Sequence, residues 1–300
     1  MSETWVDKVR AKVGTKKDLV RSGLAEFIGT FVLVLVINSV VAQQILPKNG
    51  TGNALIGVNV GVGLGIFFGV ALSAKASGGH INPAVTIAFL VIQQIKPVKA
   101  LVYIVAQTLG AFFGAVVTYL VYYNAINAFD GGRHQVIGTK ATAGIFASYP
   151  APHLGTVNGL FDQVVGAAVF VLIILHVVDR RSGYPGWAQP AVIGTGFVMI
   201  GTAFAYNAGY PLNPARDFAP RLFTLLAGYG GKTFSFNNYG WFWVPIVGPI
   251  IGGILGALIY NLFLGVHGHP AGDYEVVSTR EVTVVTHNTN EKAAEHVVEA

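Results

Sequence analysis

Apolar residues gather into six runs, at 24–45, 54–76, 100–123, 159–178, 188–206 and 241–266, and the charged residues gather in the connections between them. Each run reaches about twenty residues, the length a helix needs to cross the hydrocarbon core of a bilayer. Two further apolar stretches, of about ten residues each, are too short to span. They follow Asn82-Pro83-Ala84 and Asn213-Pro214-Ala215. Asn is a favoured helix N-cap and Pro a favoured first helical residue, so each tripeptide predicts the start of a short helix. The pattern predicts an all-α membrane protein with six transmembrane helices plus two half-helices. Paired half-helices in corresponding places of two chain halves point to a transport site at the bilayer midplane.

The halves also resemble each other. Glu26-Phe-Ile-Gly29-Thr30 in the first run is matched by Gln163-Val-Val-Gly166-Ala167 in the fourth, and Glu26 precedes Asn82 by 56 residues where Gln163 precedes Asn213 by 50. Three spans per half bring the second half in from the opposite face, so the repeat is inverted and the half-helices meet N-terminus to N-terminus. The expected organisation is an N-terminal segment at 1–21, a first membrane repeat at 22–124, a connecting loop at 125–157, a second repeat at 158–267 and a polar tail at 268–300. Trp5, Val9 and Val13 recur every fourth position among basic residues, a spacing that fits a lipid-surface helix or a solvated segment. Gly57, Gly61, Gly65 and Gly69 form a smooth ridge, and Gly110/Gly114 and Gly252/Gly256 repeat the spacing. Such stripes allow helix backbones to approach closely in a membrane.

Composition agrees: 53% hydrophobic and 11% charged residues exclude an ordinary soluble domain, in which about 25% are charged. With no cysteine the chain has no disulfide, thiolate metal site or thiol nucleophile. His267 and His269 read as an interfacial pair, so neither a metal nor a cofactor is expected. The net charge of +5 is unevenly distributed. Lys8, Arg10, Lys12, Lys16, Lys17, Arg21, Lys96, Lys99, Arg180, Arg181, Arg280 and Lys292 are expected on the face of the termini, against Lys48, Arg133, Lys140 and Lys232 opposite. The positive-inside rule then places both termini in the cytoplasm, and membrane orientation accounts for the basic balance without nucleic acid. About twenty polar residues precede the first run, which is expected to act as an uncleaved signal anchor. Asn49-Gly50-Thr51 fits the glycosylation acceptor pattern on the outer side.

An Asn that caps a helix accepts from that helix's N–H groups with its side-chain oxygen, leaving its amide NH₂ as a donor to the lumen. Asn82 and Asn213 are expected to present two such donors, backed by the positive ends of both half-helices. A passing water must accept from both, which interrupts a proton wire, while the positive ends repel cations. Before each cap lies an unwound segment, Gly78, Gly79, His80 and Ile81 in one half and Gly209, Tyr210, Pro211 and Leu212 in the other. Irregular backbone at this depth lines a cavity or is buried in protein, and its carbonyls can accept from hydroxyls in single file. Arg216 is a charge within the membrane, costly unless functional or paired. Asp217 is expected to hold its loop by accepting hydrogen bonds. Glu26 is expected to brace the loop carbonyls of the first half, with Gln163 as its counterpart. A pH-dependent contact between His80 and Glu26 is a further expectation.

Ser77-Gly-Gly-His-Ile-Asn-Pro-Ala-Val-Thr86 and Gly209-Tyr-Pro-Leu-Asn-Pro-Ala-Arg-Asp-Phe218 resemble the two signature loops of the aquaporin superfamily, over roughly residues 22–266. Asp217, the following Pro220-Arg221-Leu222-Phe223, Tyr119 and Pro245-Ile246 resemble the aquaglyceroporin branch. The resemblance implies a plasma-membrane homotetramer, one pore per subunit, conducting glycerol, other small neutral polyols or urea, and water. Counted from the motifs, it places the selectivity filter at Val62, Gly201, Tyr210 and Arg216. Gly201 and Val62 remove bulk found in water-selective relatives, so a wider pore is expected, with Tyr210 as an aromatic wall.

A strictly water-selective channel is the nearest alternative, disfavoured by Gly201, Val62 and Asp217. An ion-coupled transporter needs titratable or cation-binding groups at the midplane, where this chain offers amides. A junctional structural protein would rely on the long outer loop. No nucleophile–base pair or phosphate cradle can be assembled, so no enzymatic activity is expected. The lack of cysteine predicts that mercurial reagents leave solute flux unchanged, which osmotic swelling measured with and without mercuric chloride checks.

Overall fold

The computed structural model describes residues 4–46 and 52–268. Asn49 and His269, with most of the polar tail, lie outside them. A short helix, α1 (Trp5–Val13), is started by a capping box in which Thr4 and Asp7 satisfy each other's backbone N–H. The expected spans follow as α2 (Asp18–Ile45), α3 (Leu55–Ser77), α5 (Pro97–Asp130), α6 (Thr156–Val178), α7 (Gln189–Ala208) and α10 (Val244–Tyr260), the last continued by a wider turn to Gly265. All six are long and apolar enough to cross a membrane. The half-helices are α4 (Pro83–Val91) and α8 (Pro214–Thr224), and a single turn, α9 (Lys232–Ser235), precedes α10. Among the described residues there is no strand, only an isolated bridge between Gln135 and Ala141.

Span boundaries differ from expectation chiefly at α5. This helix continues past Tyr123 to Asp130 and ends where Gly131 adopts φ +70°. The irregular connection therefore runs over 131–155. Asp130 anchors its start by accepting from the N–H groups of Gly132 (2.8 Å) and His134 (3.1 Å) and from Thr142 Oγ1 (2.9 Å).

Packing follows the inverted repeat. Helix α2 packs on α3 and α5 as α6 packs on α7 and α10. The half-helices cross over: α4 of the first repeat packs on α10, and α8 of the second on α5. Backbone geometry repeats too. Gly78 closes α3 at φ +97° and Gly209 closes α7 at φ +67°, while Ile81 and Leu212, each directly before a capping Asn, sit at φ +42° and +41°. A positive φ is costly for a branched side chain, and finding it at both equivalent positions marks a geometry that the loops require.

Small residues bring the spans together. Gly61, Gly65 and Gly69 of the ridge face α2, whereas a side chain at Gly57 would meet only Asn53. The two repeats touch at Gly63 and Gly194, where an added Cβ would stand 2.7 Å and 2.6 Å from the other's carbonyl oxygen. Overpacking costs about 1–3 kcal/mol. Gly194→Ala is therefore expected to lower the thermal unfolding midpoint in detergent, and Gly57→Ala to leave it nearly unchanged.

Candidate functional site

The two caps form as the tripeptides require. Asn82 Oδ1 accepts from Ala84 N at 2.9 Å, and Asn213 Oδ1 accepts from the N–H groups of Ala215 and Arg216 at 3.1 and 3.2 Å. Pro83 and Pro214 take the first helical position, where no N–H is needed. The amide groups are more committed than expected. Asn82 Nδ2 donates to the Leu212 carbonyl at 3.0 Å, and Asn213 Nδ2 to the Ile81 carbonyl at 2.9 Å. Each cap therefore reaches across to the opposite loop with one of its two amide hydrogens. The left-handed turns at Ile81 and Leu212 precede the caps directly and belong to the carbonyls that receive these bonds.

Glu26 braces the first loop through N–H groups, not carbonyls, because a carboxylate is an acceptor only. Fully buried, it accepts from His80 N (3.0 Å), Ile81 N (2.7 Å), Ser77 Oγ (2.6 Å) and Gln107 Nε2 (2.8 Å). The His80 ring points elsewhere. Its Nδ1 lies 3.2 Å from Thr86 Oγ1, with the rings of Phe89 and Tyr103 beside it. The expected contact with Glu26 is thus made by the His80 backbone, which does not titrate.

Gln163 does not perform the equivalent role. Its Nε2 donates to Asp162 at 2.9 Å, and its Oε1 is buried without a partner among the described residues. Asp162 in turn accepts from Asn207 Nδ2 at 2.7 Å. In the second half the corresponding bonds tie α8 to the connection between the repeats. Buried Asp217 accepts from Ser148 N (2.8 Å) and Oγ (2.6 Å) and from Arg221 Nε and Nη2 at 3.0 and 2.7 Å. The remaining guanidinium bonds go to the carbonyls of Thr233 (2.9 Å) and Ser148 (2.6 Å). Such saturation is what keeps a buried ion pair from being a liability.

Two cavities flank this centre. One, of about 350 Å³, opens toward the face of the chain termini and is lined by Gly78, Gly79, His80, Ile81, Asn82 and Asn213 among others. The other, of about 310 Å³ on the opposite side, is lined by Val62, Tyr210, Gly209, Pro211 and Arg216 together with Val58 and Tyr149. Leu212 is buried and lines neither, and its carbonyl serves Asn82. The cavities are adjacent, and four residues border both: Ile37, Phe197, Pro211 and Arg216. Arg216 is 8% exposed, with Nη1 3.5 Å from the Phe146 carbonyl and 3.6 Å from Asp217.

Gly201 departs from the expected role. A Cβ there would stand 2.5 Å from Tyr210 Cζ and 2.8 Å from both Tyr210 Oη and Asn59 Oδ1. The volume that glycine vacates is filled by the tyrosine ring and does not add directly to the pore. Phe197, four residues before Gly201 on the same helix face, was findable from that i, i+4 spacing. Asn59 carried the signal of an amide inside an apolar span. For Ile37 no local signal sets it apart from its apolar neighbours.

The major intrinsic protein family model matches residues 14–260. Aquaporin-10 of Milnesium tardigradum is 44% identical over 263 residues, 83% of this chain and 64% of that relative's length. Human aquaporin-9 is 40% identical, covering 86% of this chain and 87% of its own. Among solved structures, the X-ray structure of the aquaglyceroporin from Plasmodium falciparum aligns with a TM-score of 0.73 at 32% identity, over 81% of this chain and 96% of that one. Identity and coverage of this extent leave one conclusion about ancestry: the chain belongs to the major intrinsic protein family.

Proposed function

We propose that this protein is a passive channel conducting glycerol, other small neutral polyols or urea, and water, while excluding protons and ions. The observation that carries the reading is the chemistry of the junction between the two cavities. The residues that border both cavities combine the Arg216 guanidinium with the apolar Ile37, Phe197 and Pro211. A polyol has a hydroxyl edge and a carbon face, and this junction suits both at once.

Beyond the junction, Asn82 and Asn213 each retain an amide hydrogen at the point where α4 and α8 meet by their N-termini. Donors and positive helix ends turn a permeant's hydrogens away from the centre and repel cations. Backbone carbonyls of Gly78, Gly79, His80 and Pro211 supply acceptors on the cavity walls. Val62, Tyr210 and Arg216 form the wider outer filter, with Gly201 contributing through Tyr210. Asp217 and Glu26 hold the loops.

The cations of the N-terminal segment, including Lys8, Arg10, Lys12, Lys16, Lys17 and Arg21, support cytoplasmic termini under the positive-inside rule. Apolar residues exposed on the spans, such as Leu24, Leu64, Leu109 and Leu258, suit a lipid-facing or subunit-facing surface in a plasma-membrane homotetramer.

Stopped-flow light scattering on proteoliposomes tests the reading. Osmotic water flux and glycerol influx are both expected well above those of empty vesicles, whereas water flux alone would favour the water-selective alternative. Arg216→Leu is expected to raise proton leak at least about tenfold, the factor that 1.4 kcal/mol of barrier represents. A pH-sensitive dye trapped in the vesicles reads that leak.

A further inference from the structure

Asn59 lies on α3, one turn before Val62, and is 2% exposed. It borders neither cavity. Its Oδ1 accepts a hydrogen bond from Tyr210 Oη at 2.6 Å across a sequence separation of 151 residues. The tyrosine ring reaches that oxygen by lying in the recess that Gly201 leaves, where even a methyl group would overlap it. Phe197 backs the ring at 5.4 Å between centroids. Recess, hydrogen bond and backing ring thus hold the one polar aromatic side chain of the outer filter against the α3–α7 wall.

We infer that Asn59 is a positioning residue for solute size: by fixing the Tyr210 hydroxyl it keeps the ring out of the lumen and the outer pore wide enough for polyols. The inference rests on the polyol-channel reading above. Without the Asn59 acceptor, the phenol is left unpaired against an apolar wall, a state that buried hydroxyls avoid. The outer cavity, which Tyr210 already lines, is the nearest place where the hydroxyl can find solvent. Turning into it narrows the path beside Arg216. Bulk solutes with a carbon face suffer from that narrowing more than water does. Solute choice in this pore then depends on a side chain that the solute never touches.

Permeabilities of water, glycerol and the four-carbon polyol erythritol, measured in the same proteoliposomes, test this. Asn59→Leu, close in size but without the acceptor, is expected to lower glycerol permeability about tenfold, the scale at which a pocket discriminates small changes of shape, and erythritol more. Water should fall far less. Adding Tyr210→Phe to Asn59→Leu removes the unpaired hydroxyl and is expected to recover glycerol flux, a coupling that independent or merely structural effects would not give. Gly201→Ala fills the recess with one methyl group and is expected to lower the glycerol-to-water ratio by itself. An unchanged ratio in Gly201→Ala overturns the inference whether or not Asn59→Leu folds. So does a parallel fall of all three permeabilities in Asn59→Leu that Tyr210→Phe does not reverse. If the wild type passes water and no glycerol, the polyol reading fails separately. The positioning role is then judged on water flux alone, by a loss in Asn59→Leu that Tyr210→Phe restores.

Discussion

The reciprocal pair of hydrogen bonds from Asn82 to the Leu212 carbonyl and from Asn213 to the Ile81 carbonyl joins the two halves of the molecule at its centre. Lipid offers no water to satisfy a stray backbone group, so a half-helix that begins in mid-membrane must have its first N–H groups and its preceding carbonyls satisfied from within. Each asparagine does both. Its oxygen caps its own helix and its nitrogen closes the loop of the other repeat. Ile81 and Leu212 adopt left-handed backbone at matching angles to complete the arrangement, a local cost sustained only where the surroundings over-determine it. The proposed permeation path thus relies on the same two side chains that hold the fold together.

The two loops are secured by different chemistry. On the side of the termini, Glu26 gathers backbone N–H groups of His80 and Ile81 directly. On the other side, Asp217 works through Ser148 and Arg221, and so ties the second loop's half-helix to the long connection between the repeats. A symmetric scaffold thus carries asymmetric mouths. The consequence lies between the cavities, where Arg216, from the same helix as Asp217, borders both together with Ile37 and Phe197.

Much of this was legible in the chain. Six apolar runs give six spans because length and hydropathy act locally, and Asn-Pro starts a helix wherever it stands. The reach of α5 to Asp130 was hidden because its last turns are too polar to extend an apolar run, yet helical hydrogen bonding does not stop at the edge of hydrophobicity. What periodicity could not show were contacts between residues far apart in the chain. Asn82 meets Leu212 across 130 positions, and no local pattern announces that an amide has a second partner. Glu26 stands out in the sequence as a carboxylate within an apolar run, but its partners follow from acceptor chemistry only once the loop's N–H groups are placed. By analogy Gln163 was expected to mirror it, and instead Asp162 engages its amide. Gly201 is the instructive case: a missing side chain signals vacant volume, and only the three-dimensional arrangement tells whether the pore or a neighbour takes it.

A structure of the protein in lipid with glycerol bound tests the proposed permeation path most directly. Glycerol is expected between the two cavities, hydroxyls toward Arg216 and carbon face against Phe197 and Ile37, with Asn82 and Asn213 still bonded to the opposite loops. A junction holding only water, or asparagine amides released from the Leu212 and Ile81 carbonyls, would contradict it.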